Sequence, residues 1–238
     1  YDGIGGASIH NKENILLSIG APTNNSEIIR NLAQNKKSYY GKVISINKNS
    51  VREQLKNKSD IKVEIYTMGH RNIQGLAEID GNFFSSEHGP KGGDEINLLN
   101  YKSNYGWPIA SYGTKYESIG IASYKMNHLK NNFVEPLMQF TPSIAISDLV
   151  GCTNQMIKHY ERKGCLIATT LRDKSLVIVL LSEDYKRVIG YEKIELNERL
   201  RHIAKDYKGK IFVEKDGSFY VSADNGEVFR INFKLKKE

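Results

Sequence analysis

Val63-Glu64-Ile65-Tyr66-Thr67-Met68 alternates in the two-residue period of a half-buried strand. Gly69-His70-Arg71-Asn72 ends it. Leu76-Ala77-Glu78-Ile79 and Phe83-Phe84-Ser85-Ser86 then flank Asp80-Gly81-Asn82, and Asp-Gly between apolar runs is a strong hairpin signal because the tight turn asks for positive φ. The same grammar extends outward in both directions. Asn14-Ile15-Leu16-Leu17-Ser18-Ile19-Gly20 and Gly41-Lys42-Val43-Ile44-Ser45-Ile46 read as strands. Lys210-Ile211-Phe212-Val213 and Ser218-Phe219-Tyr220-Val221-Ser222 read as a hairpin turning at Lys215-Asp216-Gly217, and Asp224-Asn225-Gly226 turns into Glu227-Val228-Phe229-Arg230-Ile231. Helical signals are weak: Ser26 to Asn35 reads as one helix, with Ser26 a candidate N-cap, or as a turn-rich loop, and Asn154 to Arg162 as a second short helix. Short strands punctuated by turns predict an all-β barrel, sandwich or propeller. A propeller blade takes roughly 40–45 residues, so this length holds about five blades at most.

Composition narrows the class. The chain has 238 residues, a net charge of +7 and a hydrophobic fraction of 39%. That is enough for one domain spanning 1–238, since single β domains reach roughly 200–250 residues. No stretch approaches the roughly 18 apolar residues of a membrane span. The excess charge is mostly Lys, which reads as a solvated surface and not as a nucleic-acid face. Two cysteines are too few for a disulfide scaffold. Cys152 and Cys165 are expected on neighbouring strands, either bridged or as two buried thiols. The chain starts at Tyr1 without a signal peptide, which reads as a processed product or a fragment.

The segment from Tyr66 to Pro108 is more polar than a plain core strand tolerates. Arg71 and Asn72 offer a planar donor fork and an amide to an anion. Gly89-Pro90 makes a turn whose carbonyls suit a hard cation, with Asp94-Glu95 adding negative charge nearby.

Taken together, Gly69-His70-Arg71-Asn72-Ile73-Gln74-Gly75-Leu76, Glu87-His88-Gly89-Pro90, Asp94-Glu95-Ile96-Asn97 and Asn104-Tyr105-Gly106-Trp107-Pro108 closely resemble the hallmark runs of the soluble quinoprotein glucose/sorbosone dehydrogenase family, in the same order and at similar spacing. Pro142-Ser143-Ile144-Ala145 and Arg199-Leu200-Arg201 are similar to further family runs. The resemblance implies a six-bladed β-propeller, of which this chain holds about four to five blades, with N-terminal blades missing. It implies a sugar dehydrogenase of the aldose type that uses pyrroloquinoline quinone (PQQ) and calcium, in the periplasm or secreted; the sequence leaves open whether it is a homo-oligomer. Carried over by motif, Arg71, Asn72, His88, Ser143, Arg172, Arg199 and Arg201 contact the cofactor. Gly89 and Pro90 give backbone oxygens to the calcium beside it, and Glu95 and Tyr105 hold a second, structural calcium. Four of the nine arginines fall at these positions, as expected where guanidinium geometry is required.

The chain also departs from the family pattern. The family's general base is a histidine, and Gly3 stands in its place. The aspartate that orients it is replaced by Ala21. General-base catalysis contributes roughly 10²–10⁴-fold, so the loss of both puts turnover in question unless His10, Tyr1 or Asp2 substitutes. The alternative reading is a non-catalytic propeller that binds a ligand or protein through the retained axial pocket.

Overall fold

The computed structural model describes residues 6–22, 27–57, 60–115, 124–125 and 127–233. Four antiparallel sheets follow one another along these residues, each a meander in chain order. The first holds β1 (Ser8–His10), β2 (Asn14–Ile19), β3 (Lys42–Asn47) and β4 (Val63–Met68). The second holds β5 (Ile73–Ile79), β6 (Asn82–Glu87), β7 (Asp94–Leu98) and β8 (Met138–Phe140). The third holds β9 (Ile146–Gly151), β10 (Cys165–Thr170), β11 (Ser175–Leu181) and β12 (Val188–Glu195). The fourth holds β13 (Leu200–Ile203), β14 (Phe219–Ala223) and β15 (Val228–Ile231). The first strands neighbour one another, β1 beside β5, β5 beside β9 and β9 beside β13. The fold is therefore a β-propeller, with its sheets radiating from an axis lined by β1, β5, β9 and β13.

Alternation explains how the blades stack. In β11, Leu176 and Ile178 point into a core shared with Leu200, Ile203, Phe219 and Val221 of the fourth sheet. Val177, Val179 and Leu181 point the other way, into a core shared with Ala77, Phe84 and Ile96 of the second. A blade covered on both faces reads as a continuous apolar run, as a doubly covered strand should. Ile9, Leu16 and Val43 likewise meet Ile73, Leu76 and Phe83 between the first two sheets.

The Asp80-Gly81 hairpin forms, with φ of 48° and 81°. The Ser26–Asn35 expectation becomes α1 (Glu27–Arg30) and a 3-10 turn at Asn31–Gln34, while Ser26 itself lies outside the described residues. Asn154–Arg162 becomes α3 (Asn154–Tyr160), capped by the Thr153 hydroxyl, which accepts from the Met156 amide at 3.3 Å. Lys48–Asn57 forms α2, which the polar sequence did not announce. The expected hairpin of 210–213 with 218–222 does not form. β14 pairs with β13 and β15 instead, and Ile211 makes only an isolated bridge to Lys205. Leu200 and Ile203 bury fully against the third sheet whereas Phe212 and Val213 stay exposed, so burial selects β13 as the partner.

Cys152 and Cys165 form a disulfide, with Cα atoms 5.3 Å apart on the first two strands of the third sheet. The bridge closes the loop that carries α3.

Candidate functional site

The candidate residues reach one end of the axis by the direction of the strands. Arg71 and Asn72 immediately precede β5, Ser143 precedes β9, and Arg199 precedes β13. β6, β10 and β14 run back antiparallel, so His88 and Gly89 after β6, Arg172 after β10 and Asp224 after β14 return to that same end.

The turn before Arg71 has room for no side chain. Gly69 has φ +76°, and a Cβ there would lie 2.1 Å from Asn104 Oδ1 and 2.7 Å from the Gly106 amide. His70 follows, wholly buried, stacked on Tyr105 at 4.6 Å and hydrogen-bonded at Nε2 to the Thr67 hydroxyl at 2.9 Å. The Arg71 amide donates to Glu87 Oε2 at 3.1 Å and its carbonyl accepts from the Ala21 amide at 2.7 Å. Its guanidinium donates from Nη1 to the His88 carbonyl at 3.0 Å and lies 5.4 Å from the Trp107 ring centre, a cation–π contact. The Asn72 carbonyl accepts from the His88 amide at 3.1 Å, and its side-chain oxygen accepts from Gln74.

Asp94 anchors the loop after β6. Its carboxylate accepts from the Gly89 amide at 3.0 Å, the Ser143 hydroxyl at 2.8 Å and the Ile146 amide at 3.2 Å. The glycines of this loop are forced by close backbone approach: a Cβ on Gly89 would lie 2.1 Å from the Gly92 carbonyl, and one on Gly93 would lie 2.3 Å from the Gly113 amide. Burial pushes the His88 imidazole below its usual pKa, opposed by Asp94 and reinforced by Arg71 and Arg201. Two arginines from different blades therefore act on one imidazole.

Arg199 and Arg201 are held by a residue the sequence reading passed over. Asp224 accepts from Arg199 Nε at 3.0 Å through one oxygen and from Arg201 Nε at 2.8 Å through the other. The signal was present, since two arginines at i, i+2 on a strand edge need a counter-ion. Arg172 is exposed; its amide donates to the Ile144 carbonyl at 3.1 Å, and its guanidinium makes no hydrogen bond or ion pair among the described residues.

Below the arginines lies a buried carboxylate pair. Asn97 Nδ2 donates to Glu87 Oε1 and to Glu95 Oε2, each at 3.2 Å. Burial and the neighbouring Glu87 hold the Glu95 carboxyl well above the usual range. For Glu87, burial is outweighed by His70 and the hydrogen bonds it accepts, so its pKa falls. Two buried carboxylates on one amide thus have their pKa values pushed apart. His128 approaches Glu95 from the outer side, Nε2 to Oε1 at 3.9 Å. Glu87, Asn97, His70 and His128 were not singled out from sequence. Tyr105, expected to give its carbonyl to a metal, is buried and receives the Asn100 amide on its hydroxyl.

A cavity of ≈ 10 Å³ sits between Arg71, Glu87, His88, Gly89, Glu95 and Trp107. That admits roughly one water or ion, so a larger ligand must lie above it on the open rim. His88 Nε2 and the Trp107 indole nitrogen are both buried there without a hydrogen-bond partner among the described residues. Buried polar atoms are nearly always satisfied, so both fit a ligand or ion at this end. Among the described residues no cluster of three His, Cys, Asp or Glu side chains could hold a metal. A cation here would need backbone oxygens beside Glu95. The Gly89 carbonyl, which accepts no hydrogen bond among the described residues, is one candidate.

A much larger cavity, ≈ 410 Å³, lies at the opposite end of the axis beside Cys152. Its charges answer one another: Lys210 approaches Glu78 at 3.9 Å, and Asp206 accepts from the amides of Lys208 and Lys210. Size alone does not make it the site. His10, weighed as a substitute base, ends β1 and lies 3.0 Å from Lys48 Nζ, and its ring stands 6.4 Å from that of Tyr207. That is the far end of β1 from Arg71. Gly3, Tyr1 and Asp2 lie outside the described residues. Ala21 is fully buried, packed with Ala33 and Trp107.

Fold and site together define an axial propeller whose inner-strand ends present arginines around a partly buried histidine. Residues 5–228 match the model of the glucose/sorbosone dehydrogenase family, and the chain belongs to that family. An uncharacterised protein of Synechocystis sp. is 31% identical over 229 residues, covering 92% of this chain and 53% of its own. Quinoprotein glucose dehydrogenase B of Acinetobacter calcoaceticus is 44% identical over 78 residues, 32% of this chain and 16% of its own. The crystal structure of the soluble aldose sugar dehydrogenase of Escherichia coli in its apo form superposes with a TM-score of 0.71 at 25% identity, over 92% of this chain and 60% of that one. The chain thus spans about half the length of the Synechocystis relative.

Proposed function

We propose that the chain is the cofactor-holding part of a PQQ- and calcium-dependent aldose dehydrogenase. The observation that carries this is the convergence of Arg71 and His88 from the second sheet and Arg201 from the fourth on one end of the axis. A flat polycarboxylate needs several planar cations at its rim, and Arg71, Arg199, Arg201 and Arg172 supply them on the same side. Asn72 and Ser143 flank that rim. When bound, PQQ would supply the quinone that accepts hydride from the sugar C1–H bond as the C1 hydroxyl gives up its proton, and calcium would polarise that quinone as a Lewis acid.

The chain's own residues bind and orient. Arg71 is fixed from both sides, by the His88 carbonyl and the Trp107 ring, so its fork is pre-organised. Gly89 and Pro90 offer carbonyls to the calcium beside the cofactor. Glu95, with the Tyr105 carbonyl, takes a second calcium, for which the carboxylate pair with Glu87 is the fitting donor set. Gly3 stands at the base position and Ala21 at that of its orienter, and neither side chain can take up a proton, so turnover depends on a base supplied by another residue. The disulfide supports an oxidising compartment, periplasmic or extracellular. Among the described residues no helix is long and apolar enough to cross a membrane.

The test is reconstitution. PQQ and calcium are added and cofactor absorbance is followed, then aldoses are added with a redox dye. Saturable binding that Arg71→Ala abolishes, followed by dye reduction, is the expected result. Binding without dye reduction overturns the dehydrogenase assignment and leaves a ligand-binding propeller. No binding overturns the site.

A further inference from the structure

Lys42, the first residue of β3, is wholly buried. Its ammonium donates to three carbonyls, Leu32 at 3.0 Å, Ala33 at 2.7 Å and Tyr40 at 2.8 Å, and makes no ion pair among the described residues. Burial pushes its pKa down to about 8. A buried cation without a counter-ion is expensive, and a Met of similar length would cost less in an apolar site. What the cation offers is three donors. In the 3-10 turn Asn31–Gln34 the Leu32 carbonyl accepts the Asn35 amide at 3.1 Å and the Ala33 carbonyl accepts the Gly69 amide at 3.2 Å, so the ammonium is a second donor to each. A cation at a helical C-terminus also meets the negative end of the dipole. Lys42 therefore ties this turn to the blade edge. The fit is tight, since a Cβ on Gly41 would lie 2.5 Å from the Ala33 Cβ.

The tied turn carries Gln34. Its Nε2 donates to the Trp107 carbonyl at 2.5 Å and to Asn104 Oδ1 at 3.2 Å, and its Oε1 accepts from Asn104 Nδ2 at 2.7 Å. Asn104 Oδ1 also accepts from the Gly106 amide at 3.0 Å. Gln34 thus grips both ends of the Asn104–Trp107 turn. Ala33, next in the turn, packs with Ala21 on the Trp107 ring. Trp107 in turn lies against Arg71.

We infer that Lys42 and Gln34 are positioning residues that hold Trp107 against the Arg71 guanidinium and so fix its fork toward the ligand. Their importance for cofactor binding rests on the reading of Arg71 as a cofactor ligand. The mechanical coupling of Gln34 to Arg71 through Trp107 does not. Neither residue touches the ligand rim, and the path runs from β3 to the site through a segment of irregular backbone.

Trp107 is the single tryptophan of the chain, so its emission reports this path directly. Gln34→Leu, Lys42→Met and Arg71→Gln are made in the full chain, with the double variant of Gln34→Leu and Arg71→Gln. Far-UV circular dichroism establishes folding, Trp107 emission and acrylamide quenching report its environment, and PQQ titration with calcium reports affinity. Folded Gln34→Leu is expected to shift Trp107 emission to the red, raise quenching and weaken PQQ binding about tenfold, the scale of a ligand group displaced by under an ångström. Arg71→Gln is expected to alter Trp107 emission in the parent background and not in Gln34→Leu. A folded Gln34→Leu with parental emission and quenching overturns the inference, as does an Arg71→Gln effect of equal size in both backgrounds. Should Lys42→Met fail to fold, Gln34→Leu decides. Should the parent chain bind no PQQ, the proposed function falls, while the coupling between Gln34 and Arg71 is still decided by Trp107 emission.

Discussion

Arg201 meets Asp224 through two nitrogens, Nε and Nη2, each 2.8 Å from the same carboxylate oxygen. The hydrogen bond from Arg201 holds the Asp224 carboxyl below its usual pKa, with Arg199 adding to it. The pair is partly solvated, so its worth lies in aim and not in stability. Asp224→Asn is expected to lower the thermal midpoint by no more than about 4 °C, since exposed pairs contribute roughly 0–1 kcal/mol. PQQ affinity should fall about tenfold, or about 1.4 kcal/mol. Calorimetric titration beside a thermal melt separates the two effects.

Asp148 behaves differently because it is buried. It accepts from the Ile203 amide at 3.0 Å and from Lys205 Nζ at 2.5 Å, and so staples β13 to β9. Burial alone would raise its pKa, but His202, Lys205 and the Ile203 amide outweigh it and hold the carboxyl low. A depressed carboxylate adds stability that is present above its unfolded pKa of about 3.9 and is lost as pH falls through the folded value. Asp148→Ala should cost about 3–5 kcal/mol at neutral pH, since it leaves Lys205 without its partner. Urea melts from pH 7 to pH 3 should show a steeper acid loss in the parent chain than in the variant.

Glu95 has the opposite sign. Its raised pKa means that the metal-free protein holds a proton there which the unfolded chain releases near pH 4.3. Stability of the metal-free form should therefore fall as pH rises through the window above that value. Calcium takes the place of the proton, so added calcium should restore the thermal midpoint at pH 7–8, do little at pH 5, and release protons on binding. A calcium-independent midpoint across this range, in chelator-treated protein, would count against a cation at Glu95.

The Cys152–Cys165 bridge spans 13 residues of sequence and encloses α3. Closing a loop of that size is worth about 3 kcal/mol in the chain-entropy account. Cys152→Ser with Cys165→Ser should lower stability by that order while leaving PQQ affinity intact, because the bridge lies at the other end of the axis. Thiol titration of the denatured parent without reductant should find no reactive cysteine.

The blade interior offers the sharpest packing test. Ile178 is 1% exposed and points into the core between the third and fourth sheets. Ile178→Ala is expected to cost about 2–5 kcal/mol, measurable by denaturant melts.

The sequence by itself determined the strand-and-turn rhythm, the Asp80-Gly81 hairpin, the helix that begins at Asn154, and the family to which the hallmark runs point. These are local properties: alternation, positive φ at a glycine and a capping hydroxyl are written within a few residues. Resemblance to the family's runs points to Arg71, Asn72, His88 and the later arginines as cofactor contacts, the reading that the proposed function carries. Tertiary structure decided what depends on strands meeting across the axis. It chose Leu200–Ile203 over 210–213 as the partner of β14, since burial against a neighbouring blade outweighs the greater apolarity of Ile211-Phe212-Val213. It joined Asp224 to the two arginines, set Glu87 against Glu95, and buried Lys42 among three carbonyls. The energies of these pairings arise from desolvation and close approach once strands and turns have packed, which no local pattern encodes.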